Sequence, residues 1–446
     1  MTFAKFNAHV SDIKTVLKSP NGIAMLGLGF GSGLPYPLIG STLGFWLSEI
    51  STPLAVIGLF SWAMLPYSLK ILWARYLDTR KPFLFQHTTR RRTGWIILAQ
   101  VLVMISLVGL MIAGYFKNVT MMACFCIIAA FAGASQDISV DAFRIESAMA
   151  FSNPSEALTY YQFGYRIALL LSDGIVFLLA THIGWSASYA SMTILMLLPI
   201  LAAYRAIEPS FISSGKEIDL HDKTATAQRR VNLKLSKVSP GKWAWVLIFL
   251  VVAFYRMPDV IIYPMINPLY HDVGISKDFL AAIHLGVGVI SSFFGIVVAG
   301  ASTIRFGLVK SMMVGAMLQF IAVLTFAILA FSGGSQLVAI LSGSFENIAS
   351  SFTGVALVLY MSQFISAERA ASQYAALTCV YSLFGKLLSG LSGLAIAHLG
   401  EGGDRLEAYG VFFLFVSLTS LPAIALLSLM PRKYVDAPTH QLATAS

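Results

Sequence analysis

Charge is scarce in this chain. Asp, Glu, Lys and Arg make up 11% of its 446 residues, against 57% for the hydrophobic set. A soluble globular domain carries about 25% charged residues, so the composition argues against a water-soluble protein. Cysteine is scarcer still: Cys124, Cys126 and Cys379 each sit inside an apolar run. Three thiols so placed make neither a disulfide framework nor a metal site, and their expected role is packing. No paired His/Asp metal spacing and no Ser/His/Asp set is evident, which argues against a membrane-embedded enzyme. The stretch GLGFGSGLPYP, with Gly27, Gly29, Gly31 and Gly33, lacks the preceding strand and the following Lys-Ser/Thr of a nucleotide loop. A primary ATP-driven pump is therefore not expected, nor is any cofactor or metal. Residues 1–20 lack the short apolar core and small-residue cleavage site of a secretory signal. They set Lys5, Lys14 and Lys18 among Phe3, Phe6, Ile13, Val16 and Leu17, a pattern that predicts a basic segment on a membrane surface.

Long apolar runs are what the chain has instead. At roughly 20 residues per span its length fits about twelve transmembrane helices. We place them near 22–47, 54–76, 93–115, 119–148, 156–181, 186–206, 243–268, 278–302, 306–331, 335–364, 371–398 and 407–430. One long polar stretch, 207–242, divides six helices from six. The expected organisation is an N-terminal six-helix half (1–207), a cytoplasmic linker (208–242) and a C-terminal six-helix half with a short cytoplasmic tail (243–446). With the N-terminus inside, 23 of the 30 Lys and Arg residues fall at inside ends. Only Lys117, Lys277 and Arg405 fall outside, and Lys70, Arg166, Arg256 and Lys386 lie within spans. That asymmetry predicts both termini in the cytoplasm. It also accounts for the net charge of +9 without nucleic acid.

The charges inside spans are the candidates for function. Residues 131–146 read FAGASQDISVDAFRIE. Asp137 and Asp141 are four apart and share a helix face, with Arg144 close to it; Glu146 lies on the opposite side, at an expected solvated interface. Charge inside a membrane helix is costly and marks substrate paths or proton relays. Asp137 and Asp141 are therefore the candidate proton-coupling pair, with Asp141 the foremost; the alternative is a fixed Asp141–Arg144 ion pair. Span five carries Arg166 and Asp173. Span seven, YRMPDVIIYPMINP, carries Arg256 and Asp259, with Pro258, Pro264 and Pro268 expected to interrupt it. Span ten has Glu346 and Asn347, and span eleven has Lys386. Arg166 and Arg256 are candidate carboxylate partners because a guanidinium binds carboxylate in bidentate fashion. Asp259, Glu346, Lys386, Gln136 and Tyr165 complete the candidate substrate-binding set, and a buried ion-pair network is the alternative for these charges. Phe30, Tyr36, Trp46, Trp62, Tyr67, Tyr161, Tyr255 and Tyr263 are further aromatics able to stack on sugar rings, though packing is the commoner role. His284 is expected to be a packed polar residue. Pro35 and Pro258 are the expected bends of helices one and seven.

The halves are weakly alike. Gly133, Gln136, Asp137 and Ile138 match Gly343, Glu346, Asn347 and Ile348, and LLSDG at 170–174 matches LLSG at 387–390. Two six-helix halves joined by a basic linker predict the major facilitator architecture, an all-α membrane protein with its site between the halves. Asp78, Arg80, Lys81 and Arg90 to Arg92, after helix two, resemble a degenerate facilitator gating loop, though an ordinary positive-inside loop explains most of this pattern.

At these residues the chain resembles the AmpG family of bacterial anhydromuropeptide permeases. The segments that carry the resemblance are FGSGLPYPLIGSTLGFWL (30–47), IGLFSWAMLPYSLKILWARYLD (57–78), RRRTGW (90–95), ASQDISVDAFR (134–144), GYRIALLLSDG (164–174), FENIASSFTGVALVLYM (345–361) and SQYAAL (372–377). The resemblance implies a monomeric inner-membrane symporter that imports N-acetylglucosaminyl-anhydromuramyl peptides with protons. It also implies a link to cell-wall recycling and β-lactamase induction. Related branches resemble siderophore permeases and acetyl-coenzyme A transporters, which keeps another organic cargo as the alternative. A non-transporting membrane assembly or sensor protein is the alternative of another class.

Overall fold

In lipid a backbone N–H or C=O has no water to bond, so an apolar run must satisfy these groups within its own segment. The computed structural model describes residues 20–86, 90–150, 154–207, 242–363 and 370–429, and every regular element among them is helical. The surface segment expected over 1–20, the polar linker and the C-terminal tail lie almost wholly outside the described residues. Among the described residues nine helices are long and apolar enough to cross a bilayer, and a bent pair, Leu54–Leu69 with Ile71–Thr79, makes a tenth. One of the nine, Tyr160–Arg205, runs for 46 residues. Straight, it would reach about 69 Å, more than twice the hydrocarbon thickness. It breaks at Gly184 (φ 79°, ψ 162°) and so crosses twice. The helix Gln336–Ser362, carrying Glu346 and Asn347, completes the twelve predicted spans.

In chain order span 1 is Gly22–Glu49, span 2 the bent pair, span 3 Arg92–Tyr115 and span 4 Val119–Ala150. Spans 5 and 6 are 160–183 and 185–205. Span 7 is Trp245–Asp272, span 8 Lys277–Phe306, span 9 Leu308–Phe331, span 10 Gln336–Ser362, span 11 Leu377–Leu399 and span 12 Arg405–Ser428.

The glycines of span 1 divide between two neighbours. A Cβ on Gly31 would stand 2.7 Å from Pro199 of span 6, and one on Gly33 would stand 2.9 Å from Ala168 of span 5. Gly27 meets Ala202 and Gly29 meets the Tyr161 backbone. Small residues four apart thus let three helices approach closely. The bend expected at Pro35 is not found there: Leu34 keeps helical angles (φ −65°, ψ −47°), and span 1 leaves them at Gly40 (φ −111°, ψ −108°). Span 7 departs from expectation. It breaks at Arg256 (φ −111°, ψ 10°), two residues before Pro258, but Pro264 and Pro268 lie inside a continuous helix, Met257–Asp272. Neighbouring helices can support a helix that lacks two N–H donors. Span 1 lies close along this stretch: a Cβ on Gly44 would stand 3.5 Å from the Pro264 carbonyl and 3.6 Å from the Pro268 ring.

The halves meet chiefly at the end of the bundle that carries loops 50–53, 273–276 and 400–404, here the far end. Span 1 packs on span 7, the start of span 2 on the end of span 11, and the region after span 5 on the start of span 8. Lys277 pairs with Glu49 at 2.9 Å, and the Trp185 indole also donates to Glu49. Trp62 donates to the Leu387 carbonyl across the halves. At the near end the halves touch principally through spans 2 and 11, and pack less closely than at the far end. The loop after span 2 also lies at the near end, where Arg92 pairs with Asp78 at 2.5 Å and Arg91 donates to the Asp78 carbonyl.

Far-end closure depends on Gly58 and Gly393. A Cβ on Gly58 would come within 2.7 Å of the Gly393 nitrogen, and one on Gly393 would strike the Leu54 carbonyl. Gly393→Val is therefore expected to lower the closed-to-open ratio of the far end by about tenfold or more, since overpacking costs about 1–3 kcal/mol. An impermeant maleimide reads this as faster labelling of Ile57→Cys, a position buried between the halves. Unchanged labelling would show that this contact does not limit opening.

Candidate transport site between the halves

Asp137 is the centre of the N-terminal wall. It stands beside Ser32 of span 1 and within electrostatic reach of Lys70, Lys386 and Asp141. Tyr67, Tyr161 and Tyr165 all face it. Lys386 comes from the other half. It is 8% exposed, donates to the Met64 carbonyl at 3.1 Å, and lies over the rings of Tyr36 and Tyr67 at 5.8 and 5.5 Å. A desolvated ammonium is held here by one carbonyl, two π faces and a nearby carboxylate. Met64 is available because span 2 tightens to a 3₁₀ turn over Ser61–Met64.

Asp141 is placed differently. It accepts from Arg144 at 3.0 Å with its side chain 44% exposed, and Arg144 lies over the Tyr161 ring. The two aspartates share a face, but one turn of helix carries Asp141 toward the near mouth and into an ion pair. Gln136, a candidate for binding substrate, is fully buried. Its amide faces span 1, where a Cβ on Gly31 would stand 3.0 Å from it and from the Gln100 amide. One residue from Asp137 is 100° around the helix, which turns Gln136 into the bundle instead of the cavity. The side chain of Glu146 lies outside the described residues.

The C-terminal wall is built on the break in span 7. Arg256 donates to Asp259 at 2.8 Å and to Ser350 of span 10 at 2.8 Å. Gly354 leaves room for the guanidinium, with Nη1 at 3.6 Å from where its Cβ would be. Glu346 lies within electrostatic reach of Asp259, Arg256 and Asp173. Tyr36 and Tyr381 link the walls, since each is in reach of the other and of Arg256. Arg166 is exposed. It sits two turns before Asp173, which faces the other half, so both are on the cavity side of span 5. Tyr165 turns toward Asp137 and Tyr36.

Asp173 accepts from Ser41 at 3.0 Å, and Ser41 accepts from Tyr263 at 3.1 Å. These residues floor the cavity on its far side. Of the aromatics, Phe30, Trp46 and Tyr255 are buried packing residues, and Trp46 stacks on Trp185. Tyr36, Tyr67, Tyr165 and Tyr263 remain at the site. Sequence reasoning missed Ser41, Ser350 and Tyr381. Hydroxyls are common in spans, and only the approach of distant helices distinguishes these three.

Between the halves there is thus a mixed-sign, tyrosine-rich site, with the halves packed most closely at the far end. A model of the Major Facilitator Superfamily matches residues 21–390. A protein of Rickettsia typhi named putative transporter AmpG 3 is 27% identical over 423 residues, covering 92% of this chain and 96% of that one. The anhydromuropeptide permease of Escherichia coli K12 is 26% identical over 417 residues, covering 92% and 80%. Among solved structures, the inward-open xylose transporter XylE from E. coli aligns with a TM-score of 0.63 at 16% identity, over 90% of this chain and 94% of that one. The POT family transporter PepTSo aligns with a TM-score of 0.67 at 13% identity, over 93% and 97%. At such identities these two speak for the fold alone. The chain belongs to the Major Facilitator Superfamily and is a multi-pass secondary transporter of a small-molecule substrate.

Proposed function

We propose that this protein is a monomeric proton-coupled symporter of the bacterial inner membrane that imports anhydromuropeptides for cell-wall recycling. The link of that import to β-lactamase induction is part of the same proposal. In this reading residues 1–207 and 243–446 form the moving halves, 208–242 is a cytoplasmic linker, both termini are cytoplasmic, and the near end faces the cytoplasm. The observation that carries the coupling is the setting of Asp137, a carboxylate between Lys70 and Lys386 at the joint between the halves. A group so placed changes partner and water access when the halves rock, and it therefore binds its proton differently in the two states. Asp137, and not Asp141, carries the proton, because Asp141 already has a cation of its own. Arg256, oriented by Asp259 and Ser350, and the open fork of Arg166 hold the peptide carboxylates. The tyrosines stack on the sugars.

Proteoliposomes with an imposed proton gradient, offered labelled anhydromuropeptide, a ferric siderophore or acetyl-coenzyme A, test the cargo. Uptake of the muropeptide alone is expected; uptake of another solute alone would replace the cargo and leave the fold standing. Arg166→Lys is expected to cut uptake about tenfold although the charge remains, because an ammonium lacks the planar fork. Wild-type uptake by Arg166→Lys would remove this residue from carboxylate recognition.

A further inference from the structure

Spans 5 and 8 each contain one π-helical turn, Leu171–Ile175 and Ile283–Gly288. The two turns face each other across the halves: a Cβ on Gly174 would stand 2.5 Å from Leu285. Such turns are rare and frequently occur at functional sites. Each presents a titratable side chain to the junction. His284 Nδ1 stands 3.9 Å from an Asp173 carboxylate oxygen, with the side chains 22% and 31% exposed. The imidazole stacks on Phe177 at 6.0 Å. Its Nε2 is buried without a hydrogen-bond partner among the described residues. An orphaned ring nitrogen is costly, and a packed polar residue would have been expected to bury a satisfied one. The Asp173 carboxylate is also the end of the chain Tyr263–Ser41–Asp173, so spans 7, 1, 5 and 8 are tied at one level.

We propose that His284 and Asp173 form a proton-sensitive latch that holds the far end of the cavity closed. With a proton on His284 the imidazolium faces the Asp173 carboxylate and the latch is tight. When that proton leaves to water between the halves, the charge attraction is lost and the far end is free to open. The other groups around the pair keep this assignment specific. Span 10 brings Glu346, within reach of Asp173, and Asn347, which packs at Gly288. Span 7 brings Tyr263, and span 5 brings Arg166 two turns away. Another ion pair between the halves, Glu49–Lys277, contains no imidazole. Asp173 is the carboxylate that pairs with the His284 ring, and histidine is the side-chain type whose charge ordinarily changes in the physiological range. This inference rests on the transporter reading but not on the cargo or on Asp137.

The test needs no cargo. Spin labels on Tyr115→Cys and Gln336→Cys, both exposed at far-end tips of opposite halves, report far-end closure in nanodiscs once the native cysteines are replaced. The wild-type closed-to-open ratio is expected to rise about fivefold or more from about pH 7.5 to about pH 5.5, the range of imidazole titration and of ordinary coupling energies. His284→Gln and Asp173→Asn are each expected to abolish that pH response. Ser41→Ala is expected to lower closure at every pH while keeping the response, which a purely structural role for His284 would not produce. Should His284→Gln fail to fold, Asp173→Asn decides alone. A flat wild-type profile, or a response that survives in His284→Gln and vanishes in Asp137→Asn, would overturn the latch.

Discussion

Asp137→Asn is expected to abolish accumulation driven by a proton gradient while sparing exchange. A gradient of one pH unit supplies about 1.4 kcal/mol per proton, enough for about tenfold accumulation of a co-transported solute. Without a titratable group at position 137 the ratio of internal to external solute should fall to about one. Counterflow of labelled against unlabelled solute needs only the loaded carrier to rock and should continue, because the amide keeps the shape of the side chain beside Lys70 and Lys386. Asp141→Asn should accumulate almost normally, since it removes one partner of a half-exposed ion pair, Asp141–Arg144, worth about 1 kcal/mol or less. The comparison is decisive in both directions. Accumulation that survives in Asp137→Asn and is lost in Asp141→Asn would return the proton to Asp141, and survival in both would move it to Glu346 or Asp259.

Arg256→Ala should be the most damaging single change to stability. It leaves the Asp259 carboxylate, 12% exposed, without its cation or its hydrogen bond. Removing one member of a buried pair costs about 3–5 kcal/mol. The expected readout is a much lower thermal midpoint in detergent and a loss of monodisperse protein. Arg256→Ala combined with Asp259→Ala removes both charges and should recover most of the stability without recovering transport. That separation of folding from binding is what a double-mutant comparison provides. If Arg256→Ala were as stable as the wild type, the pair would not be structural. If the double variant transported normally, Arg256 would have no part in recognition.

The sequence by itself determined the class of this protein. Scarce charge, apolar runs of spanning length and the break of polarity after span 6 leave few alternatives, because a bilayer admits only closed hydrogen bonding along each segment. The candidate charges were legible for the same reason: Asp137, Arg256, Asp259, Glu346 and Lys386 stand out against an apolar background. Helical periodicity placed Asp137 and Asp141 on one face.

What tertiary structure alone decided was which of these groups meet. Periodicity gives direction around one helix, not depth along the cavity or the identity of the facing helix. Asp141 has Arg144 within its own helix and is neutralised locally, whereas Asp137 acquires Lys386 from a helix some 250 residues away in sequence. Gln136 turned inward because its neighbour faces the cavity. Pro264 and Pro268 did not break span 7, whose helix runs through both beside Gly44 of span 1. His284 looked like a packed polar residue until span 5 set Asp173 opposite it. The meeting of two π-turns leaves no trace in either local sequence, since it depends on which helices face each other across the halves.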